Sequence, residues 1–357
     1  MTDKNLLNND RRDSLKNQYV KYTYRKAILI IVLAPLLVFL IGGAVSIGSA
    51  EVSWGQIYIA IMERLFPGNY QASRLSWLVV WELRLPRVIM GLLAGLGLGM
   101  AGGVMQSVLR NPLAEPYILG IASSAGFGAS LAILLGKGLI GGQYLIITNA
   151  FIFALICSGI IFAISSGKRA KPDTVILIGV AMNFFFQAMN TLMLYFADPD
   201  AVKTAMFWMV GDLGRVTWQN IALTTPVILL CCTFLLWKAN DINILDAGDD
   251  YAISLGVRVP KLRITLMIIV SLLVSGIVCF TGAIGFVGLV APHICRIFIG
   301  GDNRFLLPAA GLLGAVLLIT ADTVARTIIS PAILPVGIVT TFLGVPLLIY
   351  LIMQKKG

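Results

Sequence analysis

Apolar residues run along this chain in blocks too long for the interior of a soluble domain. Stretches of roughly 17 to 25 apolar residues recur between short polar interruptions, each long enough to cross about 30 Å of hydrocarbon. Inside lipid the backbone must satisfy its own hydrogen bonds, so such runs are helices. The alternating ten-residue strands of a membrane barrel do not occur. The pattern predicts ten membrane helices at 27–48, 86–109, 116–136, 144–166, 174–196, 219–238, 262–282, 286–299, 306–328 and 335–353. The eighth is short for a crossing. The fold class is therefore an all-α polytopic membrane protein. A tail of residues 1–26 precedes a single transmembrane domain at 27–353, and residues 354–357 follow it.

The segments between helices differ in character. Residues 49–83 hold Trp54, Trp77 and Trp81, suited to the aromatic belt of a membrane interface. Residues 197–218 predict a short surface helix at 202–210 followed by a Gly-rich turn. The longest loop on the opposite side, 240–263, places Asp246, Asp249 and Asp250 beside Leu245, Tyr251, Ile253 and Leu255. Two short amphipathic turns fit there, broken at Gly248 and ended at Gly256. A faint internal echo joins Leu83-Arg84-Leu85-Pro86-Arg87 to Val257-Arg258-Val259-Pro260-Lys261. In an alternating topology the two copies face opposite sides, as an inverted repeat requires.

Composition and charge settle orientation more than chemistry. Charged residues make up 12% of the chain, half the share of about 25% in soluble domains. The net charge of +10 lies between apolar runs rather than in one patch, so it reads as membrane orientation and not as nucleic-acid binding. With the N-terminus inside, 19 of the 27 Lys and Arg fall on the inner side and 8 on the outer. That bias predicts both termini inside and an even number of helices. The tail to Lys26 carries seven basic residues and no cleavable signal, because the run at 27–45 is too long and lacks a cleavage site. The five cysteines sit in or beside apolar runs without metal-ligand spacing, so neither a disulfide framework nor a metal site is expected.

No catalytic constellation is present, and His293, the single histidine, reads as structural. No Gly-rich loop ending in Gly-Lys-Ser or Gly-Lys-Thr occurs, so ATP is not bound here through a P-loop and a motor, if used, belongs to a partner. Gly91, Gly95, Gly99 and Gly103 recur every fourth residue and make a smooth face for close helix approach. Asn183, Gln187, Asn190 and Thr191 share one face of the fifth predicted helix. That face must look at protein or water, either as a wall of a translocation path or as interhelical glue. Thr340 and Thr341 are a second candidate for the same path. Asp322 and Arg326 lie four apart and can pair. Arg84 and Arg87 flank Pro86 at a helix start, where they either snorkel to the interface or meet acidic groups of an external partner. Buried carboxylates along a proton route are scarce, which favours a solute pathway driven from elsewhere. The rival is a secondary transporter driven by an ion gradient, dependent on a buried acid such as Asp322.

At these residues the chain resembles a known family. Arg84-Leu-Pro-Arg87, the run from Ala101 through Asn111-Pro-Leu-Ala-Glu-Pro116, and Leu119-Gly-Ile-Ala-Ser-Ser-Ala-Gly126 are similar to the FecCD-type permeases. So are Gly285-Phe-Val-Gly-Leu-Val-Ala-Pro-His-Ile-Cys-Arg296, Ala321-Asp-Thr-Val-Ala-Arg326 and the run from Leu334 to Pro346. The likeness spans about residues 50 to 353; the charged tail lies outside it. Ala283 departs from it, where the family often has proline, and this softens the bend after the seventh predicted helix. Ala291 replaces a common valine or isoleucine.

The resemblance implies the membrane subunit of a type II ABC importer for siderophores, haem or cobalamin, in the bacterial cytoplasmic (inner) membrane. It implies a homodimer with the solute path on its two-fold axis, two cytoplasmic ATPase subunits that use ATP and Mg, and an external solute-binding protein. No cofactor is bound by this chain itself. Arg84, Arg87 and Arg326 take the family's binding-protein docking positions. The loop containing Leu245, Asp246, Ala247, Gly248, Asp249, Asp250, Tyr251, Ser254, Leu255 and Gly256 takes the place of its ATPase coupling element. Asn183, Gln187, Asn190, Thr340 and Thr341 border the path.

Overall fold

The computed structural model describes Tyr24 and residues 26–48, 52–136, 138, 141–165 and 172–354; the predicted tail and C-terminal residues 355–357 lie outside them, apart from Tyr24 and Lys26. Long apolar runs become helices α1 (Lys26–Ser46), α4 (Leu85–Val108), α6 (Leu145–Ser165), α7 (Pro172–Tyr195), α9 (Trp218–Trp237), α12 (Val259–Thr281) and α14 (Asn303–Thr327). Helices α5 (Ile121–Leu135), α13 (Val287–Ile299) and α15 (Val336–Gln354) are the remaining apolar ones. Each of the ten corresponds to a predicted span, and α13 is as short as its sequence suggested. Among the described residues there is no β-strand beyond one isolated bridge, Pro67 to Tyr70.

Two regions differ from the sequence expectation. An extra helix, α2 (Trp54–Leu65), lies between α1 and α4, followed by α3 (Arg74–Leu78) and a π-helical stretch, Val79–Arg84, that runs directly into α4. At 12 residues α2 is too short to cross a bilayer, so a scan for spanning runs passes over it. Its start is nonetheless written locally. The Ser53 hydroxyl accepts from Gln56 N–H and the Gln56 side chain accepts from Ser53 N–H, a reciprocal capping box. Trp81 then donates to Ala60 O at 2.8 Å, tying α2 to the π stretch. The second difference is the predicted span 116–136. It breaks at Gly120 (φ +67), so a 3₁₀ turn, Pro116–Leu119, precedes α5.

The short amphipathic pieces appear where composition placed them. α8 (Pro199–Met209) is capped by the Asp198 carboxylate accepting from Ala201 N–H. α10 (Ala239–Asp246) and α11 (Asp249–Ser254) are separated at Gly248 (φ +129), and Gly256 (φ +80) ends the second.

α4 occupies the middle of the bundle, with α9, α12, α13 and α14 around it. Its glycine face is what lets α14 approach. A methyl group at Gly95 would meet the backbone of Ala315, and one at Gly99 would meet the carbonyl of Ala310. With no side chains between them, backbones contact directly and gain dispersion energy, the main attraction available between helices in lipid. α12 runs antiparallel to α4: Arg110, just past the end of α4, and Arg263, near the start of α12, both bond Asp249. Both helices open on a proline, in the two halves of the sequence echo, and at opposite ends of the bundle.

Candidate functional site

α4 has 24 residues, so its ends stand about 36 Å apart, the depth of a bilayer core with its edges. A charged network closes each end and a cavity lies between them. The basic residues assigned to opposite sides by sequence gather accordingly: Arg84, Arg87, Arg215 and Arg326 at the start of α4, and Lys26, Arg110, Arg263, Arg296 and Arg304 around its end.

At the first end, Asp322 of α14 is clamped by two guanidinium groups. Arg87 Nε donates to its Oδ1 at 2.7 Å and Arg326 Nε to its Oδ2 at 3.1 Å. Arg326 also donates to Ala44 O and Ile47 O, at 3.0 and 2.9 Å, while Arg84 donates to Val45 O and Ser46 O, at 2.9 and 3.0 Å. Most of these oxygens are the carbonyls that the last turn of α1 cannot satisfy internally, and cations there also complement the helix dipole. The three arginines singled out in the sequence are thus brought together, each only 4–5% exposed and bonded within the chain. They line a cavity of about 550 Å³ with Asp212, Gly214 and Arg215. Arg215 is its more exposed cation, with 36% of its side chain accessible and Asp212 at 3.9 Å. Sequence reasoning did not single it out, because one arginine in a Gly-rich turn has no distinguishing pattern.

At the far end, α10 and α11 are bound to four other elements. Asp249 takes Arg110 and, at 2.8 Å, Arg263. Asp246 takes Ser107 at 3.4 Å and Arg296 at 3.5 Å. Burial pushes the Asp246 carboxyl up from its ordinary value, opposed by the charge of Arg296. Asn243 donates to Asp302 at 2.9 Å, and its own oxygen accepts the Asn303 N–H at 2.7 Å. Asp302 further accepts from Lys26 and Arg304, and its carboxyl is held well below the usual carboxylate range, chiefly by its bond from Arg304. While these polar groups face the bundle, Tyr251, Ile253 and Leu255 stand more than half exposed on the outer side.

Between the two ends lies a cavity of about 650 Å³ lined by Tyr117, Ala122, Asn183, Ala283, Gly285 and residues of α15 from Gly337 to Pro346. Asn183 and Thr341, two of the sequence-derived path residues, meet in it. The other three do not line it. Gln187 is exposed and donates to Asn183 Oδ1 at 3.4 Å. Asn190 is buried against Met209. Thr340 faces a small cavity of about 60 Å³ beside Phe286 on another side of α15. The break at 282–286 falls between the predicted helices 262–282 and 286–299, but neither it nor Tyr117 was anticipated as lining, since a helix boundary does not say which groups will face a cavity.

Comparison with known proteins matches residues 36–354 to the FecCD transport family. The chain is 41% identical over 349 residues to a protein of Methanocaldococcus jannaschii described as an ABC transporter permease, covering 95% of this chain and 98% of that one. It is 35% identical over 323 residues to the hemin transport system permease protein HmuU of Yersinia pestis, covering 90% and 94%. It is 35% identical over 340 residues to the vitamin B12 import system permease protein BtuC of Yersinia pseudotuberculosis, covering 94% of each. Among solved structures, one described as an inward-facing conformation of a metal-chelate type ABC transporter superposes with a TM-score of 0.80 at 29% identity, over 92% of this chain and 99% of that one. PsaBC from Streptococcus pneumoniae in complex with Fab, at TM-score 0.53 and 16% identity over 76% and 91%, shares the fold.

Proposed function

The chain belongs to the FecCD transport family, and from that premise we propose that it is the membrane-spanning permease of an ATP-driven importer, with a ferric siderophore as first cargo and haem or cobalamin next. The observation that carries this reading is the 650 Å³ cavity set between two charged networks at opposite ends of α4. A path for a bulky solute needs a roomy, weakly polar middle, and a few amides or hydroxyls such as Asn183 and Thr341 suffice to wet it. Asp322, the acid an ion-gradient mechanism would use, is already engaged by Arg87 and Arg326.

In this reading two copies of the chain form the path between them in the cytoplasmic (inner) membrane, with both termini cytoplasmic. ATP and Mg are used by two partner ATPase subunits, which press on α10 and α11. The exposed Tyr251, Ile253 and Leu255 suit an apolar cleft on such a partner. A solute-binding protein docks at the other end, over the cavity that holds Arg84, Arg87, Arg326 and Arg215. ATP-driven movement of the α10–α11 loop, passed on to α7 and α15, alternates access to the solute, which crosses without covalent change.

The deciding experiment is uptake into proteoliposomes with ATPase and binding protein present and labelled ferric siderophore outside. Uptake that requires both ATP and the binding protein supports the importer and its cargo. Uptake only of haem or cobalamin keeps the mechanism and changes the cargo. Transport by this chain alone on an ion gradient overturns the reading.

A further inference from the structure

Between α12 and α13 the chain leaves helical geometry at residues 282–286. This break lies deep in the bundle: Gly288, two residues on, packs on Gly102 in the second half of α4 and on Pro116. Non-helical backbone at such depth must be buried in protein or line a water-filled cavity. Gly282 N–H still reaches Val278 O at 2.8 Å, and two side chains serve the amides of Ile284 and Phe286. Tyr117 Oη accepts from Ile284 N–H at 3.1 Å, and Glu115 Oε1 accepts from Phe286 N–H at 2.8 Å. Both belong to one stretch, Glu115-Pro116-Tyr117, and the ring of Pro116 fixes the backbone between them.

The segment so held is under constraint. Phe286 has φ +67, a conformation that a bulky residue keeps only where its surroundings impose it. Its side chain bears on α15 at Gly344, where a methyl group would lie 2.6 Å from both Phe286 Cβ and Cγ. A methyl group at Gly337, at the start of α15, would lie 3.0 Å from Ala283 O. Ala283, Gly285 and Tyr117 face the 650 Å³ cavity, with α15 forming its other wall.

We propose that Glu115 and Tyr117 are positioning residues of the solute path, a two-point clamp that fixes the 282–286 segment as the wall against which α15 bears. The inference rests on the reading of this cavity as the path. Without the clamp, two backbone amides lose their partners, the segment loosens, and its cavity-facing residues become more accessible than they already are.

The test uses the full chain with its ATPase subunits in liposomes, carrying Ala283→Cys and a water-soluble maleimide as probe; the parent chain, with its own five cysteines, gives the background. Tyr117→Phe and Glu115→Leu should each raise the rate of modification at this position by about 2- to 10-fold, the effect of losing one hydrogen bond. Glu115→Gln should leave it unchanged, since the amide oxygen still accepts from Phe286. An unchanged rate in Tyr117→Phe, a Glu115→Gln rate raised like that of Glu115→Leu, or no modification in any variant overturns the clamp. If Glu115→Leu fails to assemble, the Tyr117→Phe and Glu115→Gln rates decide. A separate arm tests the path: modified Ala283→Cys in the otherwise parental chain should block uptake of the ferric chelate. Persisting uptake would overturn the path reading, and the rates would still judge the clamp.

Discussion

Arg87 and Asp322 stand 2.7 Å apart, Nε to Oδ1, although 235 residues separate them in the chain. Both are buried, and Arg326 completes the site from the other carboxylate oxygen. The group joins the start of α4 to the end of α14, and through the carbonyls of Ala44 and Ile47 to the end of α1. It is thus a structural knot before it is anything else, and it sits in the wall of the cavity proposed for the binding protein.

Removing the acid should therefore cost stability first. Asp322→Ala leaves two guanidinium groups buried with fewer partners and is expected to destabilise the fold by about 3–5 kcal/mol. Thermal unfolding in detergent checks it. Asp322→Ala combined with Arg87→Leu should recover part of the loss, and additive losses would show that the pair is not coupled.

Docking is better tested at Arg215, whose side chain is more accessible than the buried arginines. Arg215→Glu is expected to weaken binding of the solute-binding protein by roughly tenfold at low salt and by less at high salt. Equal affinity and salt slope for mutant and parent would remove this end from the docking surface.

Tyr251 offers the matching test at the other end. The residue is 55% exposed and lies outside the hydrophobic core clusters. Tyr251→Asp should abolish co-purification of the ATPase subunit, since loss of an interfacial aromatic anchor costs about 2 kcal/mol or more, while the permease itself stays folded by size-exclusion chromatography.

The glycine face predicts a steep positional contrast. Gly95→Leu forces α4 and α14 apart and should abolish accumulation of the protein in the membrane. Gly55→Leu on α2, where nothing lies within 4 Å of the new Cβ, should be tolerated. Similar expression levels for both would argue against close approach as the role of this face.

The helices were legible in the sequence because lipid leaves the backbone one economical solution, so run length and hydropathy fix where α1, α4, α12 and α14 lie. The spacing of Gly91 to Gly103 likewise announced a close neighbour, since period alone sets a helix face. The i,i+4 relation of Asp322 to Arg326 was local enough to read directly. Other features depend on partners distant in the chain. That Arg84 and Arg326 would cap α1, that Asp249 would join Arg110 to Arg263, and that Asn183 and Thr341 would share a cavity while Thr340 would not, follow from how helices rotate and cross. The break at 282–286 was legible as the gap between the predicted helices 262–282 and 286–299, but not what holds it: the Ile284 and Phe286 amides donate to Tyr117 and Glu115, some 170 residues earlier. Hydropathy records what a segment requires of its solvent, whereas the acceptor that meets a particular amide or guanidinium is chosen by tertiary contact alone.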